Sequence, residues 1–167
     1  MTNTPNVKTK QQTFAEMLKP LDVREFKRKN TTFFIGDVVG EDSFDVFEIL
    51  RTNMDKLRGI NLSKLAAGQN DQANFQAMVD LLSGFRREDI KELRRIFFSV
   101  VEFKVDGNTN SPQGIVNGGE MWRKGLSPMI DYELILRVWA VNFLDSTLEW
   151  FQDTGLLSRL QAQPQKQ

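Results

Sequence analysis

Histidine and cysteine are both missing from this chain. Without histidine, the commonest general acid/base and metal ligand is gone. Without cysteine there are no disulfides, thiolate nucleophiles or thiolate zinc sites, a usage that fits an intracellular protein. Net charge is lacking as well. The 22 basic residues balance 22 acidic ones, so no overall field draws in nucleic acid or anionic lipid. No run of about eighteen apolar residues occurs, so no membrane-spanning helix is expected. The polar stretch Met1 to Gln12 has no apolar core for a signal peptide. Serine or threonine nucleophiles would have to borrow lysine or aspartate as their base, and the carboxylates are scattered without an evident acid/base couple. The residue inventory points away from an enzyme and calls for no metal or cofactor.

What is present suits one globular domain. The chain has 167 residues, 40% hydrophobic and 26% charged, enough to bury a core without a covalent staple. Residues 1–12 read as a flexible N-terminus, 13–155 as a single domain and 156–167 as a polar tail. Thr13 to Lys19 reads as a turn or two of helix, stopped by Pro20. Asp22 to Arg28 and Thr31 to Asp37 are rich in Val, Phe, Thr and Ile and read as a hairpin over about 22–37, turning at Lys29-Asn30.

Helices follow. Phe44, Phe47, Leu50, Met54 and Leu57 recur at steps of three and four, with Asp42 or Ser43 as cap and Gly59 as terminator. Leu62 to Ala67 is a short segment. Phe75, Met78, Val79, Leu82 and Phe85 form one further stripe, and Ile90, Leu93, Phe97 and Val100 another. The tail from Phe97 to Val105 is β-branched and aromatic enough to turn into extended chain. Residues 106–119 read as a mobile Gly/Asn/Ser/Pro loop. The last helix carries the strongest pattern: Tyr132, Leu136, Trp139, Phe143 and Trp150 on one face, and Leu134, Val138, Val141 and Leu148 on a second. Glu133, Arg137, Asp145 and Glu149 form a polar strip between them. Such a helix is either central to its own domain or shared with a partner. The expected fold class is mainly α, α+β only through a small N-terminal β-hairpin, in a compact multi-helix domain.

Each apparent site has a plainer reading. Asp106-Gly-Asn108-Thr-Asn110-Ser111 imitates the start of a calcium loop, but Ser111 stands where the loop needs glycine and Asn117 where it needs glutamate. The first thirty residues hold seven basic and three acidic side chains, and Arg24, Lys27, Arg28 and Lys29 lie beside Phe26, Phe33 and Phe34. That is the outline of a nucleic-acid-reading hairpin, weakened by the acidic stretch from Asp37 to Glu48. Arg86, Arg87, Lys91, Arg94 and Arg95 alternate with Glu88, Asp89 and Glu92 as ordinary helix-surface pairs. Trp139 and Trp150 read as core before binding site, whereas Trp122, beside the glycine-rich loop, is the best candidate for an exposed anchor. The candidate partner-binding residues are therefore Trp122, Arg123, Tyr132, Trp139, Phe143 and Trp150.

The order of elements resembles a known family. A basic hairpin, the Phe44 to Leu57 helix, Leu62 to Leu65, two paired helices and an aromatic-bearing loop lead to Asp131-Tyr-Glu-Leu-Ile-Leu-Arg-Val-Trp-Ala-Val-Asn142-Phe143 and Leu148 to Phe151. Over roughly residues 21–152 this is similar to the tail assembly chaperones of long-tailed, siphovirus-type bacteriophages. The resemblance implies a non-enzymatic, mainly helical protein of the host cytoplasm. It would coat the phage tape-measure protein, help recruit the tail-tube protein and leave before the virion is complete. A longer form made by translational frameshift is another family trait. Repetition along a long client would favour a homo-oligomer. Two other readings stay open: a nucleic-acid-binding regulator using the basic hairpin, and a permanent head–tail or tail component of the virion.

Overall fold

The structure, a computed structural model, describes residues 18–57 and 71–153. The expected turn before Leu18, the Gly59 terminator, the Leu62 to Ala67 segment and both terminal tails lie outside the described residues. The elements run from a 3-10 turn, Lys19–Leu21, into strands β1 (Glu25–Arg28) and β2 (Thr31–Ile35). Helices α1 (Glu41–Leu57), α2 (Asp71–Ser83) and α3 (Arg87–Ser99) follow, then β3 (Val101–Val105) and the two-residue β4 (Gln113–Gly114). A second 3-10 turn, Met121–Arg123, leads into α4 (Ile130–Asp153).

The mainly α expectation is corrected by the sheet. All four strands join in one antiparallel sheet in the order β1-β2-β3-β4, and the described residues are 54% helical and 15% strand, an α+β protein. The reason lies in the junction after α3. Val100 caps that helix, and Val101-Glu-Phe-Lys-Val105 then alternates inward and outward as a strand should. Its partner is β2, with Phe33 opposite Phe103 and Ile35 opposite Val101. That pairing spans some seventy positions of chain, beyond the reach of local pattern. The segment 106–119 contributes β4 and the buried Ile115.

The hairpin turns over Lys29 and Asn30, with Arg28 opposite Thr31. Lys29, not the asparagine, takes the left-handed backbone conformation, at φ 51°. Its ammonium donates to the Gly125 carbonyl, which anchors the turn to the segment before α4.

One face of the sheet meets the helices. Phe26, Phe33 and Phe103 form a cross-strand row there, with the first two rings stacked at 5.1 Å. Trp122 stands edge-on to Phe33 at 6.3 Å and to Phe98 at 5.8 Å. Gly118 passes directly over Phe103: a Cβ added there would lie 2.5 Å from a ring carbon and 3.1 Å from the Gly114 carbonyl. Gly118→Ala is therefore expected to destabilise the protein by about 1–3 kcal/mol, read by urea denaturation. An unchanged midpoint would mean the 114–119 turn does not press on the sheet.

Helix α4 is the centre of the domain. Eight consecutive residues, Glu133 to Ala140, are buried, so over this stretch both apolar stripes and part of the expected polar strip face protein. Asn142 ties it to the chain leaving β2: its Oδ1 accepts from the Val38 amide at 2.9 Å, and its Nδ2 donates to the Gly36 carbonyl at 3.2 Å. The Asn of the Val-Asn-Phe sequence is thus a structural clamp.

Helix α1 keeps Leu50 of its expected stripe inside and is corrected at Phe44. Val46, Leu50 and Asn53 are buried, whereas Phe44 is 66% exposed. Asn53 goes inside because its Nδ2 donates to Asp89 of α3 at 2.8 Å, and Arg86 grips the same carboxylate through two bonds of 2.8 and 3.0 Å. Counting only apolar residues misses a buried amide of this kind. At the other end, Arg95 of α3 reaches Asp42 of α1 at 3.1 Å, so the two helices run antiparallel.

Candidate functional site

Three residues far apart in sequence build the polar centre of the molecule. Arg28 ends β1 just before the tight turn. Glu133 lies in the first turn of α4, and Arg137 follows one helical turn later on the same face. Arg28 forks onto Glu133, its Nε donating to Oε2 at 3.1 Å and its Nη2 to Oε1. Arg137 donates from Nε to Oε1 at 2.9 Å. Both guanidinium groups also flank the ring of Phe26, Arg137 at 4.1 Å and Arg28 at 5.5 Å from its centroid.

The partners differ in exposure. The Glu133 and Arg137 side chains are 11% and 9% exposed, while that of Arg28 is 45% exposed. Burial pulls the Arg137 guanidinium below its ordinary pKa, opposed by the Glu133 carboxylate and reinforced by the Arg28 charge. Two cations share one carboxylate, so the cluster carries surplus positive charge.

That surplus opens onto a cleft. A cavity of about 170 Å³ lies beside the cluster, walled by Phe75, Leu126, Met129 and Ile130. Arg28, Lys29, Ser127 and Glu133 supply its polar border. With Arg137 behind Glu133, the charges around it sum to plus two: three cations against one carboxylate. Apolar walls with a cationic border suit an apolar side chain that has a carboxylate beside it.

A second cluster is structural. Asp131 accepts from Arg94 at 2.8 Å and Arg123 at 2.7 Å on the same oxygen, leaving its Oδ1 buried without a hydrogen-bond partner. Burial raises the Asp131 carboxyl above its ordinary pKa, and the two guanidinium groups, Arg94 then Arg123, only partly offset it. Arg123 lies over the Trp122 ring at 4.7 Å, and Arg94 over Phe98 at 5.2 Å.

The sequence-derived candidates fall elsewhere. Trp122 is 3% exposed, Trp139 wholly buried and Phe143 5% exposed, so in this fold none of the three is a surface anchor. Trp139 packs on Phe85 at 6.3 Å and Phe143 on Phe97 at 6.0 Å. Tyr132 is half-buried, Arg123 serves Asp131, and the side chain of Trp150 is outside the described residues. None of the other five lines the cleft. One lining residue, Glu133, has a sequence signal of its own: it stands one turn before Arg137 inside a helix apolar on both sides.

The basic hairpin is also largely neutralised. Arg24 pairs with Asp37 at 2.6 Å, Lys27 with Asp106 at 2.7 Å and Arg28 with Glu133. Charges already matched release fewer counterions on binding phosphate, which disfavours a nucleic-acid interface. The described residues contain no cluster of three or more acidic side chains able to hold a metal ion, the 106–111 segment included, and no helix among them is long and apolar enough to cross a membrane. Comparison of the chain with protein-family models, with curated proteins and with solved structures finds no match.

Proposed function

We propose that this protein is a non-enzymatic tail assembly chaperone of a long-tailed bacteriophage, holding the tape-measure protein in the host cytoplasm and recruiting tail-tube subunits to it. The observation that carries the reading is the cleft. Its apolar walls accept a side chain from an amphipathic helix, and the surplus charge of Arg28, Lys29 and Arg137 selects a carboxylate next to that side chain. A long helical client offers such a pair repeatedly, so modest affinity at each point sums along its length. The order of elements along residues 21–152, similar to the tail assembly chaperones, supports the same role. As an assembly factor the protein would be absent from the finished virion.

Co-expression with the tape-measure and tail-tube proteins of the same genome tests this. The tape-measure protein is expected to become soluble only in the presence of this chain and to co-elute with several copies in size-exclusion chromatography. Lys29→Glu combined with Met129→Glu reverses the border charge and spoils a wall. The pair is expected to weaken co-elution about tenfold or more, roughly 1.4 kcal/mol, with the thermal unfolding curve lowered only by the loss of the exposed Lys29–Gly125 bond. Solubility unaffected by this chain would overturn the reading. Binding of oligonucleotides that falls steeply with salt would put the regulator in its place.

A further inference from the structure

The sheet has a second face that no described element covers. Strand alternation sends Phe26, Phe33 and Phe103 inward and leaves two rows outside. Glu25, Phe34 and Glu102 sit side by side in one row, and Lys27, Thr32 and Lys104 in the next. Glu25, Lys27 and Glu102 are exposed, and the other three half-buried. Beyond the acidic row lies Val23, 47% exposed. The face is therefore an acidic row beside a basic row, centred on one aromatic ring, with no net charge from these four ionic groups.

We infer that this open sheet face is a self-association surface whose occupant is a second copy of the chain. A two-fold axis lying between the rows and parallel to them turns each acidic row onto the other copy's basic row. Glu25 then meets Lys27 of the partner subunit, and Glu102 meets Lys104 of the partner subunit. Four opposite-charge contacts result, with Phe34 set against Thr32 of the partner subunit. A nucleic acid or a partner of single charge would meet one repulsive row wherever it lay, whereas the face complements itself. Glu25, Glu102 and Lys104 form no ion pair among the described residues, so they are free to pair across the axis; Lys27 shares its charge with Asp106.

The contact is by the face and not by the edge. Lys27 is an outward-bonding position of edge strand β1, and its carbonyl already accepts from Arg28 Nη1 at 2.9 Å. A strand added to β1 would have to displace that bond. Size sets the strength. Three strands about 4.8 Å apart and four residues deep, with the two residues of β4 beside them, give a footprint on the order of 200 Å². This is well below the roughly 800 Å² per partner of a stable complex, so the dimer is weak, concentration-dependent and sensitive to salt. It rests on the charge rows and not on the cleft, and stands or falls apart from the chaperone reading.

Sedimentation equilibrium on the full chain, at low and high salt, tests it. Wild type is expected to self-associate as concentration rises, less so at high salt. E25K/E102K and K27E/K104E, each checked for an unchanged circular dichroism spectrum, are expected to remain monomeric alone and to associate when mixed. Single E102K and K104E variants, away from the Lys27–Asp106 pair, are expected to show the same complementation more weakly. A wild type that stays monomeric throughout, or reversed variants that associate as well as wild type, overturns the proposal. Protection of Phe34 from solvent in a monomer would assign the face to another segment of this chain and overturn it equally.

Discussion

Glu133→Ala is expected to cost about 3–5 kcal/mol of stability, the range for breaking a buried ion pair from one side. The carboxylate is the sole anion of its cluster. Without it, Arg137 keeps a guanidinium at 9% side-chain exposure with no carboxylate to answer it. Arg28 suffers less, because it is half in water and can turn outward. Arg28→Ala should therefore cost only about 1 kcal/mol. Chemical denaturation of three proteins separates the contributions: Glu133→Leu, Arg137→Met and the double variant. The double variant is expected to be more stable than Glu133→Leu alone, since Arg137 is then no longer left buried without its carboxylate, whereas Arg137→Met keeps Glu133 paired with Arg28. A Glu133→Ala loss under about 1 kcal/mol, as for an exposed pair, would mean that the cluster is wet and that α4 does not carry it into the core.

Trp122→Ala is expected to be as damaging, at about 3–5 kcal/mol, which lowers the melting temperature by on the order of 10 °C for a domain of this size. The ring is 3% exposed and edge-on to both Phe33 and Phe98, so truncation empties the junction where the sheet meets α3. It also strips Arg123 of its aromatic support and loosens the Asp131 cluster. Thermal unfolding with a client-binding assay divides the two roles a tryptophan here could have. A core residue loses stability first and binding only as a consequence. An exposed anchor would lose binding with its melting curve intact, and that outcome would return Trp122 to the surface.

Local pattern and long-range structure divide cleanly along this chain. Period and turn chemistry are properties of neighbours, so the strands either side of Lys29-Asn30, the α3 stripe through Leu93 and Phe97, and the two-sided apolar character of α4 could be read from the residues alone. The absence of histidine and cysteine could be read as well, together with the chemistries that their absence removes. Phe44 against Asn53 marks where such reading stops. Hydrophobicity puts the phenylalanine inside, but the asparagine is buried because Asp89, on another helix, offers it a bond. Glu133 and Arg137 are the same case on a larger scale, a polar strip by sequence and a buried cluster once Arg28 arrives from β1. Trp122 beside a glycine-rich stretch gave no local sign that Phe33 and Phe98 would enclose it.

Neighbouring residues alone settle where the helices and the first hairpin lie and how their apolar residues repeat, because those depend on contacts within a few positions. The folded chain makes the end of the Phe97–Val105 switch the third strand of a four-stranded sheet and pairs it with β4, which no local pattern marked. It alone chose which polar groups go inside, and it brought Arg28, Lys29, Met129 and Glu133 to one cleft. Burial and pairing are relations between distant residues, and a carboxylate reveals its place only when the cation that neutralises it is known.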